Sequence, residues 1–409
     1  MECELNDNNN NNKFVYQTLK TVYDYFSENS ISLLNLFSKQ IEIHLSADND
    51  FYSQTKQLEQ LNLTASYSNL KSLKPQSKIG GMLEKVSKTG LGSSACLVAS
   101  LTAAVLKWFE KQIGEIEKEH KKEDNNSFLN LAHNLAQFAH CKAQGKIGSG
   151  FDVAAALFGS IKYNRFPTDK LSLILNEETF NNLKFIECIN DFNWGFVISK
   201  FQLPPYFKLA LGEVNTGSNT PSMVSKVLKW KKENFEQATE IYTKLNGYNN
   251  LMSDLLDKLV KCYENDKEMY LNQLLQLQDK IIFKKQDNEI EIENNSTTVT
   301  EIIYQLSNTF QNIRHQLKLI SNFANVPIEP FEQTQLLNQL LKLPGSIFGG
   351  VPGAGGYDAV FIIYIDTNNQ QINNLQLIMD EYNQLNLDSK VTPLLSNQDK
   401  NLGLNIIIK

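Results

Sequence analysis

Three glycine-rich segments in a fixed order constrain this chain more than any other feature. They are Lys88–Ala95 (KTGLGSSA), Gly145–Asp152 (GKIGSGFD) and Pro352–Asp358 (PGAGGYD). Glycine has no Cβ to block an approaching anion, so each segment can present backbone N–H groups to one. Only the first segment runs straight into a long apolar helix, whose dipole favours a phosphate at the same place. With their hydroxyls, lysines and aspartates, the segments predict a phosphoryl-transfer site.

The length of 409 residues exceeds one ordinary core, so the sequence predicts two domains. Strands and helices mix without strict alternation, which favours an α+β fold over a doubly wound parallel sheet. The predicted organisation is a disordered asparagine-rich tail at 1–12, a first domain at 13–205, and a second domain at 206–409 with an acidic surface insertion near 284–300. The boundary between the domains is placed at Pro204-Pro205.

Charge and cysteine usage narrow the class of protein. A net charge of −6 gives no reason to expect nucleic-acid or membrane-surface partners. The sequence contains no stretch of about 18 apolar residues, the length of a membrane span. Its five cysteines include no C-x-x-C pair, which fits a reducing compartment. We therefore expect a cytoplasmic protein, with a peroxisomal pool left open.

Two well-known phosphate-binding motifs do not explain the first segment. No G-x-x-x-x-G-K-[ST] occurs, so the chain is not a P-loop protein. Gly90–Ala95 does match the dinucleotide pattern G-x-G-x-x-[GA]. That pattern needs a strand before it and an acidic residue that ends the next strand. Met82–Val86 makes a poor strand, and Glu110 falls inside the continuing helix, so a Rossmann site is disfavoured.

The paired serines of the first segment allow two interpretations. Ser93 or Ser94 can cap the predicted helix Cys96–Phe109. A doubled serine exceeds what one cap needs, so a second hydroxyl is a candidate Mg²⁺ ligand. Lys88 is either a surface lysine or a phosphate contact, because it immediately precedes the loop.

Asp152 also has two interpretations. It is a favoured residue for the N-cap of the predicted helix Asp152–Phe158. It also follows Lys146, Ser149 and Gly150, and a carboxylate beside a lysine stays ionised and can orient an attacking oxygen. The residues alone leave both possibilities open.

Two histidines on the second predicted helix, Phe128–Ala143, do not have the spacing of a metal site. His133 and His140 are seven residues apart, whereas a helical metal pair usually lies four apart. They are therefore interpreted as core or surface histidines.

The third segment has more glycines than a turn needs. The five glycines between Gly349 and Gly356 predict a close backbone approach, either to a ligand or to the other domain. Asp358 is expected to anchor this loop.

The order of these motifs resembles the GHMP superfamily of small-molecule kinases and, within it, the eukaryotic phosphomevalonate kinases. The most specific runs are His140–Ala155 and Pro352–Ala359, and the resemblance extends from about Lys13 to the C-terminus. It implies two α+β domains, the second of them ferredoxin-like. It also implies an ATP-dependent kinase that uses Mg²⁺ and phosphorylates (R)-5-phosphomevalonate.

The resemblance assigns roles to individual residues. It implies that Asp152 and Lys146 are catalytic, that Ser94 binds Mg²⁺, and that Lys146, Ser149 and Gly150 hold phosphomevalonate. It implies that the ATP phosphates are held by Lys88, Gly90, Leu91, Gly92, Ser93, Ser94 and Ala95. It implies that the site is braced by Gly353, Ala354, Gly355 and Gly356.

One part of the family pattern is not found. The superfamily normally opens with a strand and turn reading roughly Ala-Pro-Gly-Lys, whose lysine lies beside the aspartate. This sequence passes from Met1 and its asparagine tract to a region that resembles family sequence farther downstream. We therefore expect either an incomplete rendering of a longer protein or a shortened form, with a first domain that lacks its opening strands. The alternatives are another GHMP kinase, such as mevalonate kinase, and a non-catalytic homologue that binds a ligand or partner. The oligomeric state does not follow from the sequence.

Overall fold

The structure is a computed structural model that describes residues 12–27, 42–76, 87–116, 125–176, 180–214, 220–284, 289–290, 297–368, 371–386, 390–396, 398 and 403–407. Its contacts divide the chain into two compact units. The first unit consists of Met1–Ala47, Gly92–Gln202 and Asp399–Lys409, and the second of Asp48–Leu91 and Leu203–Gln398. A continuous first domain at 13–205 would place residues 48–91 in the first unit, whereas their contacts group them with the second.

The helices, numbered in chain order, are α1 Lys13–Ser27, α2 Thr55–Gln60, α3 Tyr67–Ser72, α4 Ser93–Ile116, α5 Asn125–Gln144, α6 Phe151–Phe158, α7 Asp169–Leu175, α8 Asn182–Asn190, α9 Thr220–Glu233, α10 Phe235–Asn265, α11 Lys267–Gln278, α12 Val299–Ala324, α13 Phe331–Leu340 and α14 Gln371–Leu385. The strands are β1 Ile161–Asn164, β2 Val197–Lys200, β3 Phe207–Val214, β4 Ser346–Gly350, β5 Ala359–Ile365 and β6 Val391–Leu394. Within the described ranges, no helix has the length and apolar character that crossing a membrane requires.

In the first unit, helices α1, α4 and α5 pack against one another, and α6 packs on α4 and α5. The apolar face predicted for α5 forms part of this core, since Leu135 and Phe138 are buried. Strands β1 and β2 pair antiparallel beside the helices, with Ile161 opposite Lys200. The core therefore holds the starts of α4 and α6, where the first two glycine-rich segments end.

The second unit contains a four-stranded sheet in the order β4-β5-β3-β6, in which every pair is antiparallel. Helices α9–α13 connect β3 to β4, and α14 connects β5 to β6. This is the β-α-β-β-α-β arrangement of ferredoxin-like domains. Strand β5 reads AVFIIYI because it lies between two partners and is buried along almost its whole length. The predictions of an α+β fold and of a ferredoxin-like second domain are confirmed.

The predicted acidic insertion is described in part. Glu289 lies against α10, where its carboxylate accepts a hydrogen bond from Lys244 over 3.1 Å. The insertion ends where α12 begins. There Thr298 accepts the N–H of Glu301 and the Glu301 side chain returns to the Thr298 N–H, which is a capping box.

Two strand predictions are wrong in the residues that the structure describes. The alternation of apolar and polar residues over Phe37–Leu45 predicts a half-buried strand. The structure describes this segment from Glu42 onward, where it has no regular structure and is exposed. The apolar run Leu404–Ile408 predicts a closing strand, but its described part also has no regular structure, and Ile407 is 75% exposed. Within the described residues, the last strand of the chain is β6, which lies at one edge of the four-stranded sheet. Alternating polarity is not sufficient for a strand, because a strand also needs a neighbour with which to pair.

Candidate active site

The first glycine-rich loop begins from a backbone pairing within the second unit. Lys88 forms an antiparallel bridge with Tyr52. The next residue, Thr89, is fully buried and its hydroxyl donates to the carbonyl of Asp50 over 2.5 Å. Its N–H also donates to the carbonyl of Phe51 over 3.4 Å, and these two bonds fix the backbone where the loop begins. Thr89 was not predicted as a site residue. Lys88 itself is exposed.

The two glycines of this loop have backbone conformations that disfavour other residues. Gly90 has φ +80° and Gly92 has φ +76°. A Cβ placed on Gly90 would lie 3.5 Å from Cβ of Asp358, within the second unit. A Cβ placed on Gly92 would lie 3.4 Å from Cβ of Asp152, within the first unit. Each glycine therefore lies beside an aspartate of another glycine-rich segment.

Helix α4 begins at Ser93, so Ser93 and Ser94 both lie in its first turn. The first amides of a helix have no partner within the helix and carry the positive end of its dipole. Ala95 is fully buried and anchors this turn in the core. The side chain of Ser94 contacts helix α5, where its Oγ lies 3.1 Å from Nε2 of His140. The first turn of α4 therefore presents N–H groups that have no partner within the helix, and the Ser94 side chain in this turn is held by α5.

The second glycine-rich loop follows the end of α5. Gly145 has φ +69°, and its N–H donates to the carbonyl of Lys142 over 3.2 Å. The N–H of Lys146 donates to the carbonyl of Cys141 over 3.2 Å, which satisfies the last turn of the helix. Lys146 is exposed. Its charged side chain therefore starts from a firmly held backbone and reaches solvent.

Side chains of β1 and the residue after it hold this loop by its carbonyl groups. Arg165 donates to the carbonyls of Gly148 and Ile147 over 2.8 and 3.4 Å. The Tyr163 hydroxyl donates to the carbonyl of Ser149 over 3.0 Å. Burial raises the pKa of Tyr163 to about 12, so the hydroxyl keeps the proton that it donates. These bonds use carbonyl oxygens of the loop. An anionic ligand would bind N–H groups instead. Neither residue was predicted, since each lies more than ten positions after the loop.

Gly150 is required by packing within the first unit. It is the N-cap of α6 with φ +82°. A Cβ there would lie 2.8 Å from Oε1 of Gln137, 2.9 Å from the Phe166 ring and 2.9 Å from the Tyr163 hydroxyl. The predicted contact of Gly150 with substrate stays a prediction, while this crowding supplies a separate reason for the glycine.

Asp152 is not the N-cap of its helix, so the capping interpretation is wrong. The cap is Gly150, and Asp152 lies in the first turn of α6, half-buried, with its Oδ1 3.0 Å from the N–H of Val153. Burial, and then the charge of Asp152, raise the pKa of Cys96. The carboxylate therefore lies close to the first turn of α4, as the Gly92 contact also shows.

His140 is the main residue of this region that the sequence interpretation missed. It is 3% exposed, and its Nε2 contacts Oγ of Ser94 and, over 3.0 Å, Nε2 of Gln144. Burial lowers the pKa of His140, Asp152 acts in the opposite direction and Lys146 in the same direction as burial. The helical spacing of His140 from His133 gave no indication of a contact with Ser94.

The third glycine-rich loop lies in the second unit. Gly353, Gly355 and Gly356 have φ +68°, +80° and +107°. A Cβ on Gly355 would lie 2.5 Å from the carbonyl oxygen of Ile328, and the N–H of Gly356 donates to that carbonyl over 2.8 Å. A Cβ on Gly353 would meet nothing within 4 Å. The close backbone approach predicted for this loop is observed at Gly355, where the neighbour is Ile328 of the same unit.

A buried carboxyl lies beside the end of this third loop. Glu213 on β3 is 2% exposed, and its Oε2 has no hydrogen-bond partner among the described residues. Burial raises the pKa of Glu213 to about 7. A hydrogen bond with Ser53 lowers it, and the charge of Asp358 raises it. Asp358 itself accepts the N–H of Val214 through its carbonyl over 2.9 Å, which supports the expectation that it anchors the loop. In the sequence, the single acidic residue of the largely apolar strand β3 was the signal that could have indicated this buried carboxyl.

The structure distributes the predicted site residues over both units. Within the first unit it brings together Gly92, Ser93, Ser94, Ala95, Lys146, Ser149, Gly150 and Asp152. The second unit contains Lys88, Gly90, Leu91, Gly353, Ala354, Gly355 and Gly356. The unit boundary therefore falls inside the first glycine-rich loop, between Leu91 and Gly92.

Comparison with known proteins identifies relatives of the chain. The family model described as "GHMP kinases N terminal domain" matches residues 68–160. A phosphomevalonate kinase of Candida albicans is 36% identical over 287 residues, which cover 69% of this chain and 58% of that protein. A peroxisomal phosphomevalonate kinase of Arabidopsis thaliana is 33% identical over 348 residues, which cover 81% of this chain and 67% of that protein. The chain thus spans between 58% and 67% of the length of these two curated relatives.

A solved structure supports the fold. The crystal structure of the Streptococcus pneumoniae phosphomevalonate kinase superposes with a TM-score of 0.50 at 15% identity, and the match covers 95% of this chain and 83% of that one. At this level of identity the likeness concerns the fold.

Proposed function

Because this chain belongs to the phosphomevalonate kinase family, we propose that it transfers the γ-phosphate of ATP to (R)-5-phosphomevalonate. The products are ADP and (R)-5-diphosphomevalonate, in the mevalonate route to isoprenoids and sterols. The observation that carries the proposal is the contact of the first two glycine-rich loops, where a Cβ on Gly92 would lie 3.4 Å from Cβ of Asp152. A helix start that suits a phosphate therefore lies beside a carboxylate that suits an acceptor.

On the nucleotide side, the proposed ligands of the ATP phosphates are the backbone amides from Gly90 to Ala95. The positive φ of Gly90 and Gly92 and the start of α4 at Ser93 support this assignment. Lys88 is exposed directly before the loop and supplies a cation to a chain of net charge −6. Positioning and neutralisation of charge are the main work of a phosphoryl-transfer site.

On the acceptor side, Lys146 and the hydroxyl of Ser149 are the proposed contacts of phosphomevalonate. Both residues are exposed on a loop that Arg165 and Tyr163 hold by its carbonyl groups. A phosphomonoester is already mostly ionised at neutral pH, because its second pKa is about 6. Asp152 therefore orients the attacking phosphate oxygen and its counter-charges, and it need not remove a proton.

Magnesium is the proposed cofactor. Mg²⁺ takes hard oxygen ligands and is usually held by few protein groups together with substrate phosphates. Ser94 and Asp152, both in the first unit, offer such oxygens. The donor set fits Mg²⁺, which would supply neutralisation of the phosphate charge when bound.

We infer a cytosolic location from the cysteine usage. The Arabidopsis relative is described as peroxisomal, so the peroxisome is the second compartment to test. Microscopy of the tagged protein would distinguish the two.

The reaction is tested by coupled measurement of ADP release from the purified chain, with phosphomevalonate and mevalonate compared as acceptors. We expect turnover with phosphomevalonate and a diphosphate product in the ³¹P NMR spectrum. Preferred turnover of mevalonate would assign the chain to another GHMP kinase activity. Ligand-induced thermal stabilisation without ADP release would show a non-catalytic homologue.

A further inference from the structure

His140 is a buried histidine that makes polar contacts beside the first glycine-rich loop. Its Nε2 lies 3.1 Å from Oγ of Ser94 and 3.0 Å from Nε2 of Gln144, so two groups share one ring nitrogen. The ring is 3% exposed and lies against the ring of Phe14, with centroids 5.6 Å apart. Helix α5 and helix α1 therefore hold the imidazole in one orientation toward the first turn of α4.

The donors and acceptors of this trio can be assigned. A side-chain amide nitrogen only donates, so the ring nitrogen facing Gln144 accepts and carries no proton. The ring proton is then on Nδ1. The Ser94 hydroxyl faces the same unprotonated nitrogen, which has no hydrogen to give, so the hydroxyl donates to it and shares its one lone pair with the Gln144 amide. Both lone pairs of the Ser94 oxygen are left for other partners.

We propose that His140 is a positioning residue that fixes the Ser94 hydroxyl as an acceptor toward the ligand. This inference rests on the proposed function and specifies how Ser94 serves it. A hydroxyl oxygen whose O–H is directed at His140 can still bind a divalent cation through its lone pairs but cannot donate a hydrogen bond to a phosphate oxygen. Ser94 is thereby assigned to the cation, and the phosphate oxygens are left to the loop amides and the lysines.

The other histidine of α5 provides a matched comparison. His133 is fully buried, lies 4.3 Å from Phe196 between ring centroids, and has its Nδ1 3.2 Å from Oδ1 of Asn134. Its Nε2 has no hydrogen-bond partner in the part of the chain that the structure describes. His133 thus shares the helix and the burial of His140 but makes none of its contacts with Ser94. A variant of His133 therefore controls for the loss of a buried imidazole.

The tautomer is tested directly by ¹⁵N NMR of the full-length protein labelled at its histidine rings. We expect His140, identified by its loss in His140→Gln, to show a proton on Nδ1 and a bare Nε2. A proton on Nε2 would overturn the inference, even in a protein that transfers phosphate. The predicted tautomer in a protein without kinase activity would instead overturn the proposed function.

The role of His140 is tested by calorimetric binding of ADP with and without Mg²⁺. His140→Leu should weaken the Mg²⁺-dependent part of ADP binding by roughly 10- to 100-fold, the usual effect of removing a group that orients a metal ligand. ADP binding without Mg²⁺ should not change. His140→Gln retains an acceptor and should restore most of the loss, and His133→Leu should lower only the melting temperature.

A double-mutant cycle decides whether His140 acts through Ser94. In the background of Ser94→Ala, the change His140→Leu should have no further effect on Mg²⁺-dependent binding. Independent losses that multiply in the double variant would overturn the inference. Undiminished Mg²⁺-dependent binding by folded His140→Leu would do the same.

Discussion

The second and third glycine-rich loops are held within their own units in different ways. In the second loop, side chains of Arg165 and Tyr163 bind the backbone carbonyls, and Gly150 is enclosed by three other side chains. In the third loop, Gly355 is enclosed by the backbone of Ile328, while the space beside Gly353 is open. The same residue type thus serves side-chain packing, backbone packing or open approach. Counting glycines does not distinguish these uses, whereas the space around each α-carbon does.

The aspartates of the two loops should differ most in turnover. Asp152→Asn should lower kcat at least ~10²-fold with the fold retained, because an oriented charge in an active site is typically worth that much. Asp358→Asn should affect kcat less and stability more, since Asp358 ends the loop beside β5 and neighbours Glu213. Steady-state kinetics and thermal melts of both variants measure the difference. Equal losses of kcat would give Asp358 a part in the chemistry.

The surroundings of the third loop should make stability depend on pH. Glu213 has a pKa of about 7 in the folded protein against an ordinary value of 4.5, so the folded state holds a proton that the unfolded state has lost. This contribution is fully present below pH 4.5 and is lost as the pH rises through 7. It amounts to about 3 kcal/mol of unfolding free energy, from 1.36 kcal/mol for each pH unit.

Denaturant unfolding at pH 5 and pH 8 measures this dependence. Glu213→Gln cannot lose a proton and should be the more stable protein at pH 8. The exposed Glu187→Gln is the matched control and should keep the pH dependence of the unchanged chain. A Glu213→Gln variant with that same dependence would show that Glu213 titrates normally.

Two glycines of the third loop separate the effect of backbone angle from that of space. Gly353 and Gly355 both have positive φ, so alanine is strained at either position by about 1 kcal/mol. Only at Gly355 would the added Cβ meet a backbone oxygen, at 2.5 Å. Gly355→Ala should therefore lower the unfolding free energy by about 2 kcal/mol more than Gly353→Ala. Similar losses in urea unfolding would mean that the loop near Ile328 yields easily.

The smallest expected effect concerns the lysine of the second loop. Lys146→Ala should raise KM for phosphomevalonate about tenfold with little change for ATP, since a lost phosphate contact is mostly lost binding. Lys142→Ala is the control, because the Lys142 ammonium lies over the rings of Phe138 and Phe180 at 5.7 and 5.3 Å. A rise in KM for ATP alone would place Lys146 on the nucleotide.

Local pattern determined much of this protein. The apolar periodicity of α5 and the buried run of β5 predicted those elements close to their observed limits, Asn125–Gln144 and Ala359–Ile365. The order of the three glycine-rich segments indicated the family. Such features depend on neighbours in sequence, through backbone angles and the side-chain period, and can therefore be inferred without a structure.

The contacts of the site were decided by tertiary structure alone. Ser94 and His140 lie 46 positions apart, and nothing in either neighbourhood indicates that one hydroxyl meets one ring nitrogen. The start of α6 was also decided by residues distant in sequence, since Gly150 is its N-cap and a Cβ there would meet Gln137 and Phe166. Donor and acceptor pairing depends on distances of a few tenths of an ångström between elements packed together, and sequence spacing carries no such distance.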